Sequence, residues 1–185
     1  MNNHLASDLE ASYQDEVLIN EDRQAITKTN HPLNPVVQHL QHQLANAIVL
    51  FLNFKMCGWK AEGQSFFGAR AAFSQLAEQM KDIFDELGDR LRMIGQDPEV
   101  GLEYISEEVT VKQTQAGSPF EDLLADADSN AIIVIREIRD ALRDLRRRDE
   151  DPGSVELLVS ILRVYEQHEW FLRELVKPTE VRPHA

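Results

Sequence analysis

Apolar residues recur along this chain in steps of three and four, which is the spacing of one helix face. From about Pro35 to Ala61 the stripe is Val37, Leu40, Leu44, Ala47, Ile48, Phe51 and Phe54. A second stripe follows, with Phe66, Ala69, Phe73, Leu76, Met80, Phe84, Leu87, Leu91 and Ile94. A third holds Phe120, Leu124, Ala127, Ala131, Val134, Ile138, Leu142 and Leu145. The last holds Val155, Leu158, Leu162, Tyr165, Leu172 and Val176. No strand-like alternation of useful length interrupts them.

Punctuation residues set the ends. Asn34 before Pro35 predicts a helix N-cap followed by proline at the first helical position. Gly63 and Gln64 predict a break, with Ser65 capping the second helix and Gly95 ending it. Pro119 predicts the start of the third helix. Pro152-Gly153 predicts a turn, Ser154 the cap of the fourth helix, and Pro178 its stop. The link from Gln96 to Ser118 is too long for a tight turn and predicts a short helix of its own near Val100 to Glu108. Four helices of some 25 residues would each be about 38 Å long. Short links join the first to the second and the third to the fourth, and one long crossover joins the two pairs. That connectivity is the mark of a ferritin-like bundle. The expected fold class is therefore all-α, a ferritin-like four-helix bundle with one long crossover carrying a short helix.

Residues 1–34 show no sustained apolar period and carry Asp8, Glu10, Asp15, Glu16, Glu21 and Asp22 against Arg23 and Lys28. They read as an acidic flexible tail, 35–177 as the bundle, and 178–185 as a C-terminal tail. The chain has 185 residues, enough for one domain with a real core. Its single cysteine, Cys57, rules out an internal disulfide and suits a reducing compartment. The start MNNHLASDLE lacks a basic cluster followed by an apolar stretch, so no signal peptide is expected. No apolar run approaches the ~20 residues of a membrane helix. A cytoplasmic protein without membrane contact is the simplest expectation.

The formal net charge is −13. Such a surface favours solubility, attracts metal cations and repels phosphate backbones, so no strong DNA binding is expected. Arg146, Arg147 and Arg148 do not change this, because Asp144, Asp149, Glu150 and Asp151 surround them. No glycine-rich phosphate loop, paired-cysteine motif or nucleophile elbow is present, and no catalytic residue is assigned.

Two candidates for chemistry arise from spacing. His39 and His42 stand three apart on the first helix, a spacing that can hold a metal. No further ligand lies nearby in sequence and both are flanked by glutamine, which predicts a solvated face. Glu169 falls where its stripe wants an apolar residue. A buried carboxylate needs a partner or a metal, and the alternative is that Glu169 bends to the surface beside Glu166. Trp59 and Trp170 are expected at helix surfaces or interfaces.

The stretch CGWKAEGQSFFGARAAFSQLAEQMKDIFDELGDRLRMIG resembles the Dps family (DNA-binding protein from starved cells), with Trp59, Gly63, Phe66, Asp85, Asp89 and Arg90 holding the frame. The end YEQHEWFLREL is similar to the family's last helix through Glu166, His168, Trp170, Leu172 and Arg173. The resemblance covers residues 35–176 and implies a hollow shell of twelve subunits with a di-iron oxidation site at each two-fold interface. In the family two His and an Asp come from one subunit and an acidic pair from its neighbour. Matched through Trp59 and Gly63, the His positions fall on Gly58 and Arg70 and the Asp position on Ser74. Only the partner acids remain, as Asp85 and Asp89.

The resemblance thus implies a Dps-like cage linked to iron storage, iron homeostasis or stress protection, with weak or absent ferroxidase activity. Asp85, Asp89 and Glu169 are the candidate iron ligands. Arg70 of one subunit is expected to pair with Asp85 or Asp89 of the other in place of the metal. Two alternatives stand beside this. One is a non-enzymatic four-helix structural or interaction protein that handles no metal. The other is a metal carrier with a relocated site built from Glu169 and acids of the second helix.

Overall fold

The structure, a computed structural model, describes residues 34–63, 66–148 and 151–176. Within them the chain forms α1 (Pro35–Lys60), α2 (Phe66–Met93), the short α3 (Leu102–Glu108), α4 (Phe120–Arg148) and α5 (Pro152–Val176). These are the expected four long helices and one short one, and no strand occurs among the described residues. The tails and the Ser65 and Pro178 signals lie outside the described residues.

The caps follow side-chain chemistry. Asn34 accepts a hydrogen bond from the Val36 amide at 2.8 Å, and Pro35 opens α1. Gly95 has φ 81°, and the Gln96 amide reaches back to the Leu91 carbonyl at 2.8 Å, closing α2 in the left-handed turn that glycine adopts without strain. At α5 the expectation needs correction. The cap is Asp151, not Ser154, and Pro152 and Gly153 form the first helical turn rather than a bend before it. Asp151 accepts from the Ser154 amide at 3.2 Å and from its hydroxyl at 2.7 Å. Aspartate is as good a cap as serine, and proline suits the first helical position, so the helix starts three residues earlier. Arg90 of α2 locks this corner through Asp151 at 2.5 Å and Ser154 Oγ at 3.0 Å.

α1 packs most extensively on α2, α4 on α5, and α1 on α4. The stripes meet in a core of Leu40, Leu44, Leu50, Phe54, Phe73, Met80, Leu87, Leu91, Ile138 and Leu158, all essentially inaccessible. On α4 the stripe had named Leu124, but Leu123 is the fully buried leucine and Leu124 packs at the edge. Aromatic rings tie the two pairs together. Phe73 lies edge-on to Phe120 at 6.0 Å, and Phe54 lies edge-on to the buried His168 at 5.8 Å.

The crossover is held by side-chain amides. Its extended backbone has no ladder of its own, so buried N–H and C=O groups need other partners. Gln41 donates to the Glu99 carbonyl and accepts from the Glu99 amide. Asn46 accepts from the Thr110 amide at 3.0 Å. Asn53 donates to the Lys112 carbonyl at 2.8 Å and accepts from the Thr114 amide at 2.9 Å. Asn130 of α4 takes the Lys112 amide at 2.8 Å. All four amides are buried. They fix α3 against α1, which sets one wall of the groove described next.

Candidate functional site

The seam between α1 and α2 carries most of the residues singled out in the sequence. At one end the last turns of α1 meet the first turns of α2. There Gly58, Arg70 and Ser74 line one cavity of about 40 Å³ together with Phe54, Lys55 and Trp59. Helical spacing explains the convergence, since Arg70 and Ser74 are one turn apart on α2 and the antiparallel α1 brings Gly58 beside them. Gly58 is buried, and a Cβ there would touch Phe73 Cβ at 3.5 Å. Arg70 Nη1 donates to the Gly58 carbonyl at 3.5 Å. Trp59 is 63% exposed at the rim.

This lining does not suit Fe(II). It offers a hydroxyl, a permanent guanidinium and a lysine, with no imidazole and no carboxylate. Two cations beside the cavity repel a metal ion. Among the described residues no carboxylate lies within ion-pair reach of Lys55 or Arg70. The chemistry matched to this end of the seam is an oxyanion.

At the other end the same two helices, with α3, enclose a broad apolar groove of about 640 Å³. Phe51 and Phe84 meet edge-on at 6.0 Å along its floor, and Leu52, Val100 and Leu102 stand exposed along it. Asp85 and Asp89 sit on its wall, exposed and one helical turn apart. Within one chain they lie far from Gly58, Arg70 and Ser74, since fifteen residues of helix separate Arg70 from Asp85, about 22 Å.

Glu169 stands apart from both. It is largely shielded and pairs with Arg173, one turn on, at 3.1 Å. Its other charged neighbour is Asp128 of α4, whose carboxyl is raised above its ordinary range by burial and then by the Glu169 charge. Glu169 therefore faces α4 rather than the acids of α2, and the relocated-site expectation is not met within the chain. Arg173, one turn on in the same helix, supplies the partner that a shielded carboxylate needs. Among the described residues no three of His, Cys, Asp or Glu converge as a metal-holding group.

The histidines of α1 correct the solvated-face expectation. His39 Nε2 lies 3.3 Å from Asp144 Oδ2 of α4. His42 is enclosed by acids from two other elements. Its Nδ1 is 3.1 Å from Glu108 Oε1 of α3, and its Nε2 is 3.2 Å from Glu137 Oε2 of α4. Both ring nitrogens face carboxylate oxygens, which favours the protonated ring, and the Asn46 side-chain amide also lies 3.3 Å from Nε2. The Glu137 hydrogen bond is the largest cause raising the His42 pKa above its ordinary value, against burial. Burial alone would raise Glu137, but hydrogen bonds from His42 and Thr110 outweigh it and hold its carboxyl below the usual range. The two acidic partners are distant in sequence, so no local pattern announced them.

His168 is the opposite case. It is fully buried, donates from Nε2 to Gln79 Oε1 at 2.7 Å, and burial holds its pKa down to about 4. Burial also pushes the Cys57 thiol up to about 12, so it is an inert core residue. No described helix is long and apolar enough to cross a membrane.

A family profile described as a ferritin-like domain matches residues 37–180. The DNA protection during starvation protein of Brevibacillus brevis is 25% identical over 138 residues, covering 75% of this chain and 92% of its own length. General stress protein 20U of Bacillus subtilis is 22% identical over 138 residues, covering 75% and 94%. Among solved structures, Dps from Thermosynechococcus elongatus superposes with TM-score 0.74 at 22% identity, covering 78% of this chain and 92% of that one.

Proposed function

Because the chain belongs to the ferritin-like family, in its Dps branch, we propose that it is a cage-forming protein of iron storage and stress protection whose ferroxidase chemistry is weak or absent. The family typically binds iron, which enters this reading as substrate and cargo rather than as a resident cofactor. One observation carries the reduced activity. The three positions that match the family's own-subunit ligands gather around a single cavity as Gly58, Arg70 and Ser74, beside Lys55. A glycine, a hydroxyl and two cations cannot bind and oxidise Fe(II) there. Asp85 and Asp89 remain as acids without a metal-binding counterpart, and Glu169 is engaged by Arg173.

The proposed assembly is a dodecamer in the cytoplasm with no affinity for DNA of its own, in keeping with the −13 charge and the acidic first 34 residues. The test measures mass and oxidation on one preparation. Light scattering is expected to give about twelve times the 21.2 kDa of one chain. Fe(II) added in air or with peroxide is expected to oxidise no faster than in protein-free buffer. Rapid, saturable oxidation that disappears in Asp85→Ala would overturn the weakened-site reading. A structural module that handles no metal at all would instead give a protein that takes up no iron when ferric mineral is grown in its presence.

A further inference from the structure

α2 packs only lightly on α5, and the seam between them opens into a cavity of about 110 Å³. Its lining follows from the helix period. Gln75 and Gln79 stand one turn apart on α2, and His168 and Phe171 meet them from α5. His168 is 1% exposed, and its ring packs edge-on to Phe54 at 5.8 Å and to Tyr165 at 5.9 Å. Gln79 Oε1 can only accept, so the 2.7 Å bond between them places the imidazole proton on Nε2. Nδ1 is then a bare lone pair. It is buried and has no hydrogen-bond partner, and the Tyr165 hydroxyl, itself unpartnered, is not bonded to it. A buried acceptor without a donor is costly, and native interiors rarely leave one so.

The geometry points to a small neutral molecule as the occupant of this cavity, one that presents a single O–H or N–H donor to His168 Nδ1 from a flat apolar body. The lining decides each part of that description. None of its residues carries a permanent charge. Burial holds the His168 pKa down to about 4, so the imidazole is neutral too, and neither an anion nor a cation finds a counter-charge there. That sets the cavity apart in a chain of formal charge −13. Leu76 and Phe171 supply apolar wall, and the rim is exposed at Gln167 and at Trp170. A closed apolar cavity of about 150 Å³ takes a benzene ring. This one is smaller but has an exposed rim, which suits a single ring entering edgewise, as in a phenol. Apolar walls with a few placed polar groups are the usual make-up of a small-molecule site. The cavity shares no lining residue with the one at Gly58, Arg70 and Ser74 or with the apolar groove, so this site lies outside the iron question.

The test uses the full-length protein with phenol as the probe and toluene as the same shape without the donor. Calorimetric titration is expected to show one saturable phenol site per chain, with Kd in the millimolar range or tighter. Toluene is expected to bind at least about tenfold more weakly, the worth of one hydrogen bond to a buried acceptor. His168→Phe keeps a ring and removes the lone pair. It is expected to weaken phenol by at least about tenfold and to leave toluene within about threefold of wild type. Ala72→Leu, on the half-buried wall of the cavity, fills space without touching the imidazole bond to Gln79, and is expected to weaken both probes by at least about tenfold. Circular dichroism and light scattering check that each variant keeps its helices and its mass, and if His168→Phe does not fold, Ala72→Leu decides. A crystal grown with phenol is expected to place the phenol oxygen within hydrogen-bond distance of Nδ1. Phenol that does not saturate, that binds no better than toluene or that is indifferent to Ala72→Leu overturns the inference, and so does a crystal with phenol present that holds only an ordered water at Nδ1. Any of these leaves the cage reading intact, because every residue of the site belongs to one chain and none is assigned to iron.

Discussion

Replacing His42 with glutamine removes a charge without emptying the site. The imidazolium spans three elements, reaching Glu108 of α3 at 3.1 Å and Glu137 of α4 at 3.2 Å from its place on α1. Glutamine keeps a neutral donor for one acid at most. A hydrogen bond to a charged group contributes ~1.5–3 kcal/mol and a neutral one nearer 1. The Glu108 contact is discounted because that carboxylate is 37% exposed, while Glu137 is 22% exposed and keeps only Asn46 and Thr110 as donors. The expected loss is about 2 kcal/mol at pH 6, or about 4–8 °C in Tm for a chain of this size. The sign with pH follows from linkage. The folded pKa lies above the ordinary 6.5, so the stabilisation is complete below pH 6.5 and is lost as pH rises through the folded value. The wild-type and His42→Gln melting temperatures should therefore converge as pH rises through that folded value. Calorimetry at fixed protein concentration from pH 5.5 to 9 measures this, and a difference that is absent at pH 6 or unchanged across the range refutes the ionic clamp.

Three further outcomes follow from burial and charge. His168 carries a folded pKa of about 4, so the unfolded chain takes up its proton first and stability falls as pH drops from 6.5 towards 4, by about 3 kcal/mol at most. A His168→Phe variant should lose less stability than wild type over that interval, as read by urea titration at each pH. Cys57, buried with its thiol pushed up to about 12, should react with a thiol reagent only at the rate of global unfolding, and fast labelling of native protein at pH 8 would contradict the packing. Duplex DNA should not be retarded by sub-micromolar protein in a low-salt gel without divalent cations, because a surface of −13 per chain repels it; a clear shift under those conditions would show a basic site the charge distribution does not suggest.

The long helices were written into the sequence by local rules. Three- and four-residue apolar steps need only the helix period, Asn34-Pro35 and Gly95 act on their own neighbouring backbone, and a link of some twenty residues between two tight pairs leaves few ways to close a bundle. Even so, Asp151 took the cap assigned to Ser154, because two good capping residues three apart compete and Pro152 suits the first helical position after Asp151, with Arg90 of α2 bonding both. The pairing of distant groups was not legible. His42 looked solvated because its acids lie 66 and 95 residues away, and only the fold carries Glu108 and Glu137 to its two nitrogens. The same holds for Gln41, Asn46 and Asn53, whose polarity on a buried helix was the one available sign that something non-helical must lie against them. Glu169 was recognised as a carboxylate needing a partner, and that partner, Arg173, stands one turn on in the same helix; only its neighbour Asp128 was decided by the packing of α5 on α4. At the seam the sequence supplied the residue types at Gly58, Arg70 and Ser74, and hence the chemistry that is missing. Their convergence on one cavity beside Lys55 was decided by the antiparallel packing of α1 on α2, since side chains twelve to sixteen residues apart share a site only when two helices are laid side by side.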